Sequence, residues 1–444
     1  MNDRYEPART IETATPALDF ETPLPSGDPR WVDLSHARGD QTITRLRRLF
    51  ERKPAGRHQH ALFASHRGAG KSTELNRFAA SIRNRYLCLY LEANVEMDAN
   101  EFSIEDLQLV LARAVEQQMR EEGLALSAEV LERVEAWFSE TIVTKTLGKS
   151  YLGEIRTSAR ATGGVPFFAE LLANLTALFR VESEHRKQVK SALQQFPGTL
   201  TAHLNRLLDE AGKRLAESDR ELLVIIDNMD RYPPRLIDHL LVQESDRFRQ
   251  LHCNMVLTPP ISLLYKPTSQ PLDALFKTEV MPTARLRNRW DDYREFSGPG
   301  REALLQALSK RIDLDRVMPD QTAQNRLVMA SGGAIRELLE IAQLASLEPE
   351  TTPITAADVE RVLERRRQKM RDRIDANGWL PTLARIAQQK RLTEDPRCLD
   401  VLFQRFALYY NGELWYDVHP LIAEIPDFQR ALQDLDNSGG TLRG

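Results

Sequence analysis

The stretch Leu62-Phe63-Ala64-Ser65-His66-Arg67-Gly68-Ala69-Gly70-Lys71-Ser72-Thr73 constrains what this chain can fold into more than any other segment. It predicts a short buried strand, then a loop of small residues, then a helix. A loop that passes close to phosphate needs residues without bulk, so that its backbone N–H groups can point at the oxygens. The helix behind it adds unpaired amides and a positive dipole end. In such a loop Lys71 supplies a point charge to the outer phosphates, and Ser72 supplies a hydroxyl to Mg²⁺. The spacing follows G-x-x-x-x-G-K-[ST], except that Ser65 stands where the first Gly is usual.

A second segment agrees with the first. Glu221-Leu222-Leu223-Val224-Ile225-Ile226-Asp227-Asn228-Met229-Asp230-Arg231 is an apolar run ending in carboxylates. Such a run suits a strand buried on both faces of a parallel sheet. An acid at its C-terminal end sits at the mouth of the sheet, where ligands bind in open α/β folds. Asp227 is therefore the candidate Walker B acid, acting on Mg²⁺. In this chain order the two motifs predict an α/β P-loop NTPase core with a parallel five-stranded sheet.

Bulk composition narrows the remaining classes. A chain of 444 residues has room for several domains. A net charge of −4 argues against wholesale coating of nucleic acid, though it leaves room for a local basic face. No apolar run reaches the roughly 18–20 residues of a membrane span. The N-terminal segment shows no secretion signal, so a cytoplasmic protein is expected. Cys88, Cys253 and Cys398 are far apart in sequence and suit small core residues in a reducing compartment. The histidines show no metal-ligand spacing.

Residues 1–30 are rich in Pro, Thr, Glu and Asp and predict an extended strap or a disordered arm. Residues 31–290 then form the core. Its strands are expected near Ala61–Ala64, Tyr86–Leu91, Leu222–Ile226, Cys253–Thr258 and Glu279–Leu286, with helical patterns between them. The wide gap between Lys71 and Asp227 predicts a helical insertion at about 100–215. Ser103-Ile104-Glu105-Asp106 opens one of its helices as an approximate capping box. The Thr-, Ser- and Gly-rich stretch from Thr141 to Gly164 predicts a hairpin or a mobile loop. Pro166 to Phe179 is strongly apolar; a buried helix is favoured over membrane contact, because the segment is short and holds Glu170 and Asn174. Residues 291–350 read as a helical lid, in which Ser331-Gly332-Gly333 starts a helix carrying Arg336. Residues 351–444 begin with a helix bearing Arg365, Arg366, Arg367, Lys369, Arg371 and Arg373. They end in two helices and a hairpin around Asn411-Gly412, which suggests a winged helix.

By these residues the chain resembles bacterial AAA+ and STAND-type P-loop ATPases of the origin-recognition-like and KAP/NACHT-like branches, from about Trp31 to Ile422. The resemblance implies strand order 5-1-4-3-2 and binding of ATP with Mg²⁺. Ser65, Arg67, Gly68, Ala69, Gly70, Lys71, Ser72 and Thr73 would hold the nucleotide. Thr258 matches the sensor-1 position and Arg336 the sensor-2 element. Ser72 and Asp227 would serve the metal, and Lys71, Asp227, Asp230 and Thr258 the catalysis. Asn228 stands where AAA+ ATPases carry a catalytic Glu. An Asn cannot accept a proton, which leaves Asp230 as the expected base and makes slow hydrolysis the expectation. No Arg occurs between Leu251 and Thr283, where a ring-forming relative would carry its arginine finger.

Two functions compete at this level. In the first, ATP sets a conformational or assembly switch that self-associates and controls a separately encoded protein effector; the resemblance points to bacterial anti-phage defence. In the second, the chain is a DNA-handling ATPase like replication initiators or transposition regulators, gripping DNA through the winged helix and the Arg365–Arg373 helix. Residues 351–444 hold 14 Lys and Arg against 14 Asp and Glu, so that region has no basic surplus. The Arg run reads first as a solvated helix face. A scaffold with a degenerate nucleotide site is disfavoured by intact Lys71, Ser72 and Asp227.

Overall fold

The computed structural model describes residues 5–98, 101–161, 166–180, 183–293, 295–410 and 415–439. Five strands define the core: β1 (His60–Ser65), β2 (Tyr86–Glu92), β3 (Glu221–Asp227), β4 (Asn254–Leu257) and β5 (Lys277–Met281). They form a parallel sheet in the order β2-β3-β4-β1-β5, the expected 5-1-4-3-2 order seen from the other edge. β1 and β4 are buried throughout, and β3 is buried after its first residue, as near-continuous apolar runs require when both sheet faces are covered.

The fifth strand stops at Met281, short of the expected Leu286. Pro282 has no N–H to give to a ladder. The next three amides go to three other segments: Thr283 to the Tyr409 carbonyl (3.3 Å), Ala284 to that of Gly333 (3.1 Å) and Arg285 to that of Ala37 (2.8 Å).

The chain divides into two compact units. One comprises Arg47–Phe63 and Ser81–Thr278. It holds β2, β3, β4 and a helical insertion after β2. The helix Ile104–Glu121 starts at Ser103, whose N–H donates to the Asp106 carboxylate at 2.7 Å, as the capping box predicts. Phe167–Leu178 buries Phe168, Leu171, Leu172 and Leu175 and packs on Ile104–Glu121, so its apolarity belongs to a core. Among the described residues no helix is long and apolar enough to cross a membrane.

The stretch expected as a hairpin or mobile loop is helical up to Ala161, as a wide helical turn (Phe138–Val143) followed by Thr144–Thr146 and Gly148–Ala161. The hydroxyls of Thr144 and Thr146 return to the helix's own carbonyls at Ser139 (2.7 Å) and Ile142 (2.6 Å), while Ile142, Val143 and Ile155 are buried. The hydroxyls are thus satisfied within the helix, and burial of the apolar side chains overrides the weak helix propensity of Thr. Residues 162–164 lie outside the described residues.

The other unit comprises Met1–Leu46, Ala64–Ala80 and Glu279–Gly444. The helix Lys71–Ile82 begins in it, directly after the small-residue loop. The region expected as a lid holds the helices Gly300–Ser309, Leu314–Val317, Gln321–Ala330 and Ile335–Ala345, followed by the long helix Ala356–Asn377. The N-terminal segment, expected to be extended or disordered, contains the helix Ile11–Ala17, which buries Ile11 and Ala14 and packs on Ile335–Ala345. Beyond the long helix come Leu380–Gln389 and Arg397–Phe403, then the antiparallel pair β6 (Ala407–Tyr410) and β7 (Trp415–Val418). This is the helix–helix–wing order expected of a winged helix. The Asn411-Gly412 turn that signalled it lies outside the described residues.

Candidate functional site

Ser65 closes β1 with extended backbone, so a side chain is tolerated there in place of the usual Gly. His66, Arg67, Gly68, Ala69 and Gly70 form the loop, and Lys71 opens the helix with its side chain buried. Ser72 and Thr73 are half-buried in the first helical turn. Every loop residue from 66 to 69 is engaged by a neighbouring segment of the same unit. The Tyr409 N–H of β6 donates to His66 Nε2 at 2.8 Å. Arg67 stacks on the Phe403 ring, 5.0 Å from its centroid. The Arg336 N–H donates to the Gly68 carbonyl at 3.0 Å. Arg38 Nη2 donates to the Ala69 carbonyl at 2.7 Å, and Arg38 Nη1 to Glu74 at 3.1 Å.

Gly68 is required at its position. Its φ is +85°, and a Cβ there would lie 2.8 Å from the Arg336 Cβ. Arg336, the sensor-2 candidate, thus lies directly against the loop. On the helix side, the Leu24 N–H donates to Thr73 Oγ1 (3.1 Å) and Asn76 donates back to the Leu24 carbonyl (3.1 Å), tying the N-terminal segment to the same helix.

Under this assembly lies a buried charge cluster. Glu337 meets Arg366 (2.5 Å), His419 Nε2 (3.3 Å) and Arg405 (3.6 Å). Burial opposes its ionisation, but His419, Arg405 and Arg366 hold its carboxyl well below the usual range. Burial pushes the His66 imidazole down to about 3, with the Arg405 and Lys71 charges adding to the effect. It is therefore neutral and accepts through Nε2, which places its proton on Nδ1.

The acidic residues belong to the other unit. Asp227 ends β3 and is almost fully buried. Its Oδ2 accepts from the Tyr90 hydroxyl (2.7 Å) and its Oδ1 from the Asn228 N–H (2.7 Å). Thr258, just past β4, is fully buried, and both its N–H (3.1 Å) and its hydroxyl (3.4 Å) reach the Ile226 carbonyl next to Asp227. Asp230 lies buried in the short turn Met229–Arg231. Sequence reasoning missed Tyr90 and Glu92. Both sit at the end of β2, in register with Ile225 and Asp227, and the only available signal was the polar end of an alternating strand.

The Ser72 hydroxyl and the Asp227 carboxylate are hard oxygen donors of the kind Mg²⁺ takes. That ion commonly accepts one or two protein ligands and completes its shell with phosphate oxygens and water. Among the described residues no group of three or more His, Cys, Asp or Glu forms an all-protein metal cage.

No family model matches the chain, and no curated protein matches it. Among solved structures it is similar to a Walker-type ATPase of Pyrococcus abyssi at 13% identity and a TM-score of 0.42, over 93% of this chain and 99% of that one. It is also similar to Cdc6p from Pyrobaculum aerophilum, at 11% identity and a TM-score of 0.38, over 95% of this chain and 98% of that one. A third is the Aeropyrum pernix Orc1 protein in complex with DNA, at 12% identity and a TM-score of 0.37, over 96% and 98%.

Proposed function

We propose that the chain is a P-loop ATPase that binds ATP with Mg²⁺, hydrolyses it slowly and uses its nucleotide state as a conformational switch. Lys71 would neutralise the outer phosphates, Ser72 and Asp227 would hold the metal and its water, and Arg336 and Thr258 would sense the nucleotide. The bound metal would neutralise developing phosphate charge.

One observation carries the switch reading. The residues that would cradle phosphate are the ones that lid and wing hold: Arg336 bonds to Gly68, and Tyr409 of β6 bonds to His66. A loop that must satisfy a triphosphate and two docked elements at once couples their positions to occupancy, because each ligand shifts the equilibrium by its differential affinity. The output would be self-association or control of a separately encoded effector, as in the defence ATPases the chain resembles. The DNA-handling reading ranks behind it, because Arg366 and Arg367 are already occupied by Glu337, Glu340, Glu360 and Glu424.

The test pairs binding with amide exchange. Lys71→Ala removes a charge-assisted contact of roughly 1.5–3 kcal/mol and should weaken ATP binding about tenfold or more by calorimetry. In the wild type, saturating ATP·Mg²⁺ should change exchange at the Tyr409 and Arg336 amides. Equal affinities for wild type and variant would sink the ATP reading, and unchanged exchange with ATP bound would sink the switch.

A further inference from the structure

Beside Asp227 stands a second carboxylate to which the site described above gives no task. Glu92 ends β2 directly beside Asp227, since the parallel register pairs the two residues. Its Oε2 accepts from Asn228 Nδ2 at 2.9 Å. Asn228 reaches it from a left-handed backbone, φ 63° and ψ 15°, a conformation that Asn adopts more readily than most side chains. The two residues thus form an amide–carboxylate pair one step beyond the acid that ends β3.

Structural duties do not explain Glu92. It stands at the N-cap of the short helix Ala93–Glu96, yet its side chain makes no capping bond. Among the described residues no Lys, Arg or His pairs with it, and Asn228 supplies its one hydrogen bond. Its side chain is exposed, whereas Asp230, the acid first expected as the base, is buried in its turn. A base for water must be reachable by water and able to take a proton. The Asn228 amide meets neither condition: it is buried like Asp230, and it has no basic atom.

We propose that Glu92 is the catalytic carboxylate that accepts the proton of the attacking water, and that Asn228 is the positioning residue that holds it. This rests on the ATPase reading given above. In the step, the water oxygen forms a bond to the γ-phosphorus. The bond from that phosphorus to the β–γ bridging oxygen breaks, and its electron pair leaves with ADP. The water proton passes to the free oxygen of Glu92 and then to solvent. Water and ATP are consumed; ADP, phosphate and one proton are released.

The experiment compares wild type, Glu92→Gln, Asp230→Asn and Asn228→Gly by steady-state ADP release and by calorimetric ATP·Mg²⁺ binding. Glu92→Gln should lower kcat by about 100-fold or more, in the range of general-base catalysis, with Kd within about threefold of wild type. Asn228→Gly keeps the left-handed backbone but deletes the amide; it should lower kcat about tenfold and leave KM unchanged. A Glu92→Gln protein that binds ATP and turns over within threefold of wild type overturns the proposal, as does Asp230→Asn being the more damaging change. A wild type that binds no ATP overturns the underlying ATPase reading and this inference with it. A wild type that hydrolyses ATP while Glu92→Gln matches it overturns this inference alone.

Discussion

His66 illustrates what one residue in the loop contributes and how it can be tested. The motif spacing leaves its position open to any side chain, so nothing in the motif singles it out. Its role follows from a partner 343 residues away, the Tyr409 amide. Burial keeps the imidazole neutral down to about pH 3 in the folded chain, while the unfolded chain takes up its proton near the ordinary value of about 6.5. Between those values the unfolded state binds more protons, so stability is full above about pH 6.5 and is lost as pH falls through the window. On going from pH 7.5 to 5.5 the wild type should lose about 1.4 kcal/mol more than His66→Gln, whose Oε1 can accept the same N–H. Urea unfolding of both proteins at the two pH values measures the difference. An equal loss in the two proteins would mean that His66 takes up its proton in the folded state as readily as in the unfolded one.

At the scale of elements, the parallel strands and the loop–helix junction were legible because they depend on local pattern. An apolar run such as Leu222–Ile226 followed by Asp227 has few other solutions in an α/β chain. The end of β5 was not legible, because it is decided by amides that go to distant carbonyls. The helix start at Ser331-Gly332-Gly333 lies between these cases: the glycines announced a close approach but not its target. The structure supplies the target. A Cβ on Gly333 would lie 1.9 Å from the Ala284 carbonyl oxygen, and its φ is +87°. The same glycine's carbonyl accepts the N–H of Ala284, which lies past the end of β5. Gly333→Ala should therefore cost roughly 2–4 kcal/mol from steric overlap and left-handed strain together. Gly378→Ala is the control; its φ is +61° but its Cβ would meet no atom within 4 Å, so it should cost only about 1 kcal/mol. Chemical denaturation of the two variants separates the terms, and equal losses would show that the contact with Ala284 relaxes without cost.

For the whole molecule, charge is the property that separates the two functional readings. The chain carries a net charge of −4, and its most conspicuous basic run is divided by the fold. Arg365, Lys369, Arg371 and Arg373 are exposed, as a solvated face requires, but Arg366 and Arg367 turn inward. Arg366 bonds to the buried Glu337, and Arg367 reaches Glu360 (2.5 Å), Glu364 and Glu424 (3.2 Å). Removing one partner of a buried pair leaves an uncompensated charge, at a cost of about 3–5 kcal/mol. Arg405 and His419 remain beside Glu337, so Arg366→Ala should fall at the low end, about 3 kcal/mol. DNA affinity draws mainly on free cations, each phosphate contact steepening the salt dependence. Titration with duplex DNA at about 50 and 150 mM salt should accordingly give binding weaker than micromolar with a shallow slope, with or without ATP. Arg366→Ala should lower the urea midpoint and leave that weak binding unchanged. Sub-micromolar binding with a steep slope, abolished by charge reversal at the exposed Arg365, Arg371 and Arg373, would put DNA handling ahead of the switch, because it would mean that the outward half of the run suffices to hold phosphates despite the net negative charge.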